Sequence, residues 1–160
     1  MSTYQDFLAS KQRVFHGLGT STSAVSDRLF DWQAAIVKWA ARKGRAAIWA
    51  DCGLGKTLMQ LEWARLLDQR TLIFAPLCVA EQTALEAESK LGLQVRYVTE
   101  QSQVGTSQVV VTNYERLDSF DLSKFGAVVL DLGLPKLGGM EVLRQLRATR
   151  NAVPVLILTA

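Results

Sequence analysis

The sequence predicts an α/β fold: a mostly parallel sheet with helices on both faces, in three layers. Three observations carry this expectation. Short continuous apolar runs such as Thr71-Leu72-Ile73-Phe74-Ala75 and Ala127-Val128-Val129-Leu130-Asp131 lack polar alternation, the pattern of strands buried on both sides. Stretches with helical spacing lie between these runs, so strand and helix alternate along the chain. The length of 160 residues suits one such domain with a substantial core and is too short for two.

Taken in order, residues 4–15 have weak helical spacing through Phe7, Leu8, Val14 and Phe15, and the small residues of 17–23 predict a loop. Residues 30–42 predict a helix whose apolar face is Trp32, Ile36, Trp39 and Ala40, with Lys38, Arg42 and Lys43 off it and Gly44 ending it. Residues 46–50 form the first short apolar strand, followed by a glycine-rich turn and a helix over 56–68. The second strand, 71–75, stops at Pro76, and a helix over 79–91 follows. Residues 95–99, 108–112 and 127–131 read as the third, fourth and fifth strands. A loop, a helix over 139–149 and a final strand over 155–159 complete the pattern. The chain ends at Ala160 on a strand of buried type, which reads as a truncated product.

Composition narrows the class without naming a function. Hydrophobic residues make up 49% and charged residues 21%, which is globular rather than disordered. A net charge of +3, from 18 basic and 15 acidic residues, permits a nucleic-acid partner without requiring one. The two cysteines, Cys52 and Cys78, form no pairing framework and suggest a reducing, cytoplasmic compartment. No apolar run reaches the roughly 18 residues of a membrane span, and the first thirty residues hold no apolar stretch of signal-peptide type.

The most specific feature is Ala50-Asp51-Cys52-Gly53-Leu54-Gly55-Lys56-Thr57, set between a strand and a helix. Apart from Ala50 in place of the leading glycine, this is a phosphate loop, or P-loop. Gly53 and Gly55 let backbone N–H groups turn inward around phosphate oxygens, and the helix N-terminus adds partial positive charge. In such a loop Lys56 reaches the β- and γ-phosphates and the Thr57 hydroxyl coordinates Mg²⁺. Cys52 reads as a small loop residue.

Other segments then fall into a family pattern. Phe30-Asp31-Trp32-Gln33 resembles the glutamine motif with which superfamily-two helicases read adenine. Residues 75–82, from Ala75-Pro76 to Glu81-Gln82, resemble their motif Ia, and Val111-Thr112-Asn113-Tyr114-Glu115-Arg116-Leu117 resembles motif Ib. Residues 28–131 thus resemble the first RecA-like lobe of a DEAD/DEAH-type helicase, preceded by an extension over 1–27. The resemblance implies ATP and Mg²⁺ as cofactors, with Gln33 on the adenine edge and Phe30 packing nearby. It places Lys56 and Asp131 in catalysis, Thr57 and Asp131 on the metal, and Pro76, Gln82, Thr112 and Asn113 on the backbone of a single nucleic-acid strand, expected to be DNA. It also implies a second lobe or subunit as partner in an active helicase.

The pattern breaks at motif II. Asp131 suits the Mg²⁺-side carboxylate, but Leu132 stands where the family has the glutamate that polarises the attacking water, a task leucine cannot perform. From there the chain resembles a different family. Residues 128–147 and 153–160 resemble the middle of a response-regulator receiver domain, in which Asp131 would accept phosphate and Thr159 supply the switch hydroxyl. Gly138 departs from the usual aspartate, the acidic pair is missing, and no lysine follows the final strand. The chain reads as a chimera joined near Val128–Asp131, with 132–160 able to complete the same sheet and Thr159-Ala160 imitating the start of helicase motif III. Three readings stay open: an ATP-binding helicase-type lobe impaired in hydrolysis, a receiver-like signalling fragment, and a chimeric product without evolved activity.

Overall fold

The computed structural model describes residues 4, 19–21, 24–132, 139–148 and 150–159. The expected helix over 4–15, apart from Tyr4, and the loop over 133–138, with Gly138, lie outside the described residues, as do most of the loop over 17–23 and Ala160. Four α-helices are described: α1 (Asp31–Lys43), α2 (Lys56–Leu67), α3 (Leu77–Leu91) and α4 (Gly139–Ala148). The strands are β1 (Ala46–Trp49), β2 (Thr71–Phe74), β3 (Val95–Tyr97), β4 (Val109–Thr112), β5 (Ala127–Asp131) and β6 (Val155–Thr159). Short 3₁₀ segments at Gln101–Gln103, Tyr114–Ser119 and Leu122–Lys124, which the spacing did not predict, fill the connections around β4 and β5.

All six strands form one parallel sheet in the order β1-β6-β5-β2-β4-β3. Alternate residues of the inner strands β2, β4, β5 and β6 enter two separate cores, whereas the edge strands β1 and β3 contribute to one. Ile73, Val109, Val111, Val129, Leu156 and Leu158 face the layer built by α1, α2 and α3. Leu72, Phe74, Val110, Val128, Leu130 and Val155 face α4 and the 3₁₀ segment after β4. Burial on both sides explains the absence of polar alternation in these inner strands, where a side chain meets protein whichever way it points. The α/β, three-layer, RecA-like expectation is what forms.

The final strand does more than extend the sheet. β6 lies between β1 and β5, in register Ala46↔Leu156 on one side and Leu130↔Ile157 on the other. The helix–strand segment over 139–159 therefore links β1, the strand before the glycine-rich loop, to the rest of the sheet. Arg147 closes the turn between α4 and β6, donating to the carbonyls of Asn151 (2.7 Å) and Val153 (3.1 Å).

One expectation is corrected in α1. Its buried face is Gln33, Val37, Ala40 and Ala41, whereas Trp32 and Trp39 are each 42% exposed. Two alanines on the inner face let α1 approach α2 closely, and a tryptophan there would hold the helices apart. Spacing alone could not choose, because the tryptophan and alanine positions overlap on adjoining faces.

Because every strand is parallel, all carboxyl ends open on one edge, where open α/β sheets bind ligands. The glycine-rich loop after β1, Pro76 after β2, Asn113 after β4, and Asp131 and Thr159 at the ends of β5 and β6 share that edge.

Candidate functional site

The loop between β1 and α2 has the backbone its glycines require. Gly53 has φ +80° and Gly55 φ +72°, left-handed values that cost other residues about 1–2 kcal/mol. No side chain caps α2 at Gly55, which leaves its first N–H groups directed into the loop. The Lys56 ammonium donates to the carbonyls of Ala50 (2.7 Å) and Asp51 (3.2 Å), so it lies across the loop with its charge held at the turn. Thr57 follows on the first turn, half-buried. A cavity of about 770 Å³ opens here, lined on one side by residues 52–58 and on the other by Arg28, Phe30, Trp32 and Gln33. That volume lies within the ordinary range for small-ligand sites, roughly 300–1,000 Å³.

Gln33 is buried and holds two parts of the wall together. Its Oε1 accepts from the Phe30 N–H (3.0 Å) and its Nε2 donates to the Leu54 carbonyl (2.9 Å). The residue expected at the adenine edge thus lines the cavity, but with both amide ends engaged by protein. Phe30, 71% exposed, leaves its ring open to a planar ligand. The approach to Phe30 is fixed from below, where Glu62 of α2, fully buried, accepts from Ser26 N–H (2.7 Å) and pairs with Arg65 through two hydrogen bonds (2.7 and 2.8 Å). This pairing raises the Arg65 pKa, chiefly through the hydrogen bond to Glu62.

Asp131 ends β5, half-buried, two strand spacings from β1 and so about 10 Å from it across β6. Leu132 follows, its N–H on the Leu158 carbonyl (2.9 Å). Among the described residues no group of three or more His, Cys, Asp or Glu side chains could hold a metal ion. Thr57 and Asp131 are hard oxygen donors that suit Mg²⁺ only where phosphate oxygens complete the set.

The residues expected on nucleic acid divide. Pro76 is half-buried and Gln82 exposed, with the Gln82 amide donating to Glu86 (3.0 Å). Thr112 and Asn113 both turn their side chains inward. Thr112 is fully buried with its hydroxyl unpartnered. Asn113 is buried too, accepting from the Tyr97 hydroxyl (3.2 Å) and donating to Glu115 (2.7 Å). Neither is offered to a strand in this conformation.

Two residues lining the cavity have no place in the motifs. Glu86 and Lys90 of α3 line the cavity, joined by an ion pair (3.0 Å). With Gln82 they follow an i, i+4, i+8 row, a spacing visible in the sequence as one polar helix face. Tyr114, a member of the motif Ib segment that lies outside this cavity, contacts the Asp131 backbone, and nothing in the sequence signalled that contact. Cys52 and Cys78 are free and exposed. A second cavity, of about 670 Å³, lies between the 3₁₀ segments before β5 and the end of α4, and contains none of the expected site residues.

No family model matches the chain. Two crystal structures of the UvsW helicase of bacteriophage T4 superpose on 98% of the chain with TM-scores of 0.65 and 0.68, both at 15% sequence identity. The chain spans 60% and 34% of those two chains. In sequence it is 43% identical over 72 residues to the transcriptional regulatory protein QseB of Haemophilus influenzae, matching 45% of this chain and 27% of QseB. It is 50% identical over 46 residues to the response regulator MprA of a Mycobacterium species, matching 29% of this chain and 20% of MprA. The chain thus has a helicase-type lobe fold and a receiver-like segment. No helix among the described residues is long and apolar enough to cross a membrane.

Proposed function

We propose that this chain is an ATP-binding, helicase-type lobe that holds MgATP at the carboxyl edge of its sheet and turns it over slowly. The observation that carries this reading is the loop itself: left-handed Gly53 and Gly55, an uncapped α2, and the Lys56 ammonium lying across the turn. On this reading Lys56 leaves the Ala50 and Asp51 carbonyls for the β- and γ-phosphate oxygens, exchanging neutral acceptors for charged ones. Gly53 and Gly55 supply the backbone cradle, and Thr57 and Asp131 hold the cation. Mg²⁺, when bound, neutralises phosphate charge. Phe30 covers the base and Gln33 shapes its wall. Leu132 can neither take a proton nor orient a water, so turnover lacks the roughly 10²–10⁴-fold that a positioned general base supplies. Pro76 and Gln82 are the residues left to meet a nucleic-acid strand, expected to be single-stranded DNA. Full helicase activity would need a second lobe or subunit.

Titration of ATP with Mg²⁺ tests the reading. Saturable binding by the native chain, weakened at least about tenfold by Lys56→Ala, supports it. No binding with or without Mg²⁺ overturns it.

The sequence similarity to QseB and MprA favours one second reading, in which Asp131 accepts a phosphoryl group as a receiver aspartate. The Asp131 carboxylate would attack phosphorus and displace the donor's leaving group, forming an acyl phosphate. Incorporation of phosphate from acetyl phosphate, lost in Asp131→Asn, would support it over the first.

A further inference from the structure

β5 runs one residue past its partner. The β2–β5 register ends at Phe74↔Leu130, because β2 stops at Phe74 and Pro76, which has no N–H, opens α3. Ala75 turns its own N–H to Thr112 on the opposite side. At the Asp131 carbonyl the β2 side of the ladder has no N–H to offer, because Pro76 lacks one. The Tyr114 hydroxyl donates to that carbonyl (2.7 Å) and also accepts from the Asp131 N–H (2.7 Å), so one side chain engages both backbone groups of Asp131. On the β6 side the ladder continues through Leu132 N–H to Leu158.

The hydroxyl is held firmly. The Tyr114 ring is buried and tilted against Phe74, with centroids 5.4 Å apart. Burial pushes its pKa well above the ordinary phenol value, so the hydroxyl keeps the proton it donates. Tyr114 also opens the 3₁₀ segment that follows Asn113, whose amide is bonded to Tyr97 and Glu115. The segment after β4 thus completes the end of β5.

We propose that Tyr114 is a positioning residue for Asp131, whose backbone it locks so that the carboxylate meets a nucleotide-bound cation in one orientation. The inference rests on the reading of Asp131 as the cation-side carboxylate. Partners one step removed from a metal ligand typically change metal affinity by about 10–100-fold when removed.

Tyr114→Phe tests this, since it removes the hydroxyl and keeps the ring against Phe74. ATP binding is measured as a function of Mg²⁺ concentration and again with chelator. The expected result is a Mg²⁺ midpoint raised about tenfold or more, with affinity for metal-free ATP unchanged. In an Asp131→Asn background the same substitution leaves the midpoint where it is, because the group it positions is gone. An unchanged midpoint in Tyr114→Phe overturns the positioning role and leaves the nucleotide site standing. Equal losses with and without Mg²⁺ also overturn it, since they mark general loosening. A native chain whose ATP binding ignores Mg²⁺ overturns the reading of Asp131, and the inference with it.

Discussion

Gly55 is where loop geometry and base-side wall meet. Its φ of +72° is left-handed, and a Cβ there would lie 2.6 Å from Gln33 Nε2. Gln33 could move aside only by releasing Phe30 and Leu54. In Gly55→Ala we expect a loss of about 2 kcal/mol in denaturant unfolding, from backbone strain and a broken hydrogen bond, together with weaker ATP binding. The need for glycine at this position was legible in the sequence, because the spacing to Lys56 and Thr57 fixes the loop. The contact with Gln33 was not, because it depends on how α1 lies against the loop. The inward turn of Thr112 and Asn113 was not legible for a related reason: a motif at a strand end locates the residues without saying which way they turn. Tyr114 was legible as a member of the motif Ib segment, but its contact with the Asp131 backbone was not, since that depends on how the segment after β4 lies against the end of β5.

The elements were legible to within a residue or two, and the faces they bury less so. In α1 the tryptophans look like core, yet Val37, Ala40 and Ala41 pack inward with Gln33 because α2 lies close. α2 in turn carries Glu62, an apparent surface residue that is fully buried, where it ties Ser26 and Arg65 to the approach to α1. Arg65 is 37% exposed and can turn to water, so Glu62→Ala leaves no stranded buried charge. Its expected cost is about 1–3 kcal/mol, from lost hydrogen bonds at the Ser26 N–H and the guanidinium. The local effect separates this from a general loss of stability. Residues 24–30 should become cleavable by protease before the sheet does, and Glu62→Gln, which still accepts from Ser26, should recover part of the protection. Uniform cleavage throughout the chain would contradict this role.

At the scale of the whole molecule, two sequence patterns share one sheet. Both patterns have an apolar strand ending at Asp131, and a parallel sheet accepts any apolar strand that follows with suitable length and register. β6 satisfies this and pairs with β1 on one side and β5 on the other, which brings the glycine-rich loop, Asp131 and Thr159 to a common edge. Its Leu156 and Leu158 face the α1–α3 core, while Val155 faces α4. The fold was legible because burial on both faces leaves a plain pattern of apolar strands. Fold alone does not determine turnover: on the proposed reading, Leu132 is the side chain that slows ATP hydrolysis. Amide hydrogen exchange of the whole chain with and without MgATP tests the nucleotide site most directly. The expected result is slowed exchange at residues 53–59 and around Phe30 and Asp131, with β3 unchanged. Exchange that is identical in both conditions, or slowed only around the cavity between residues 117–123 and 145–152, would contradict it.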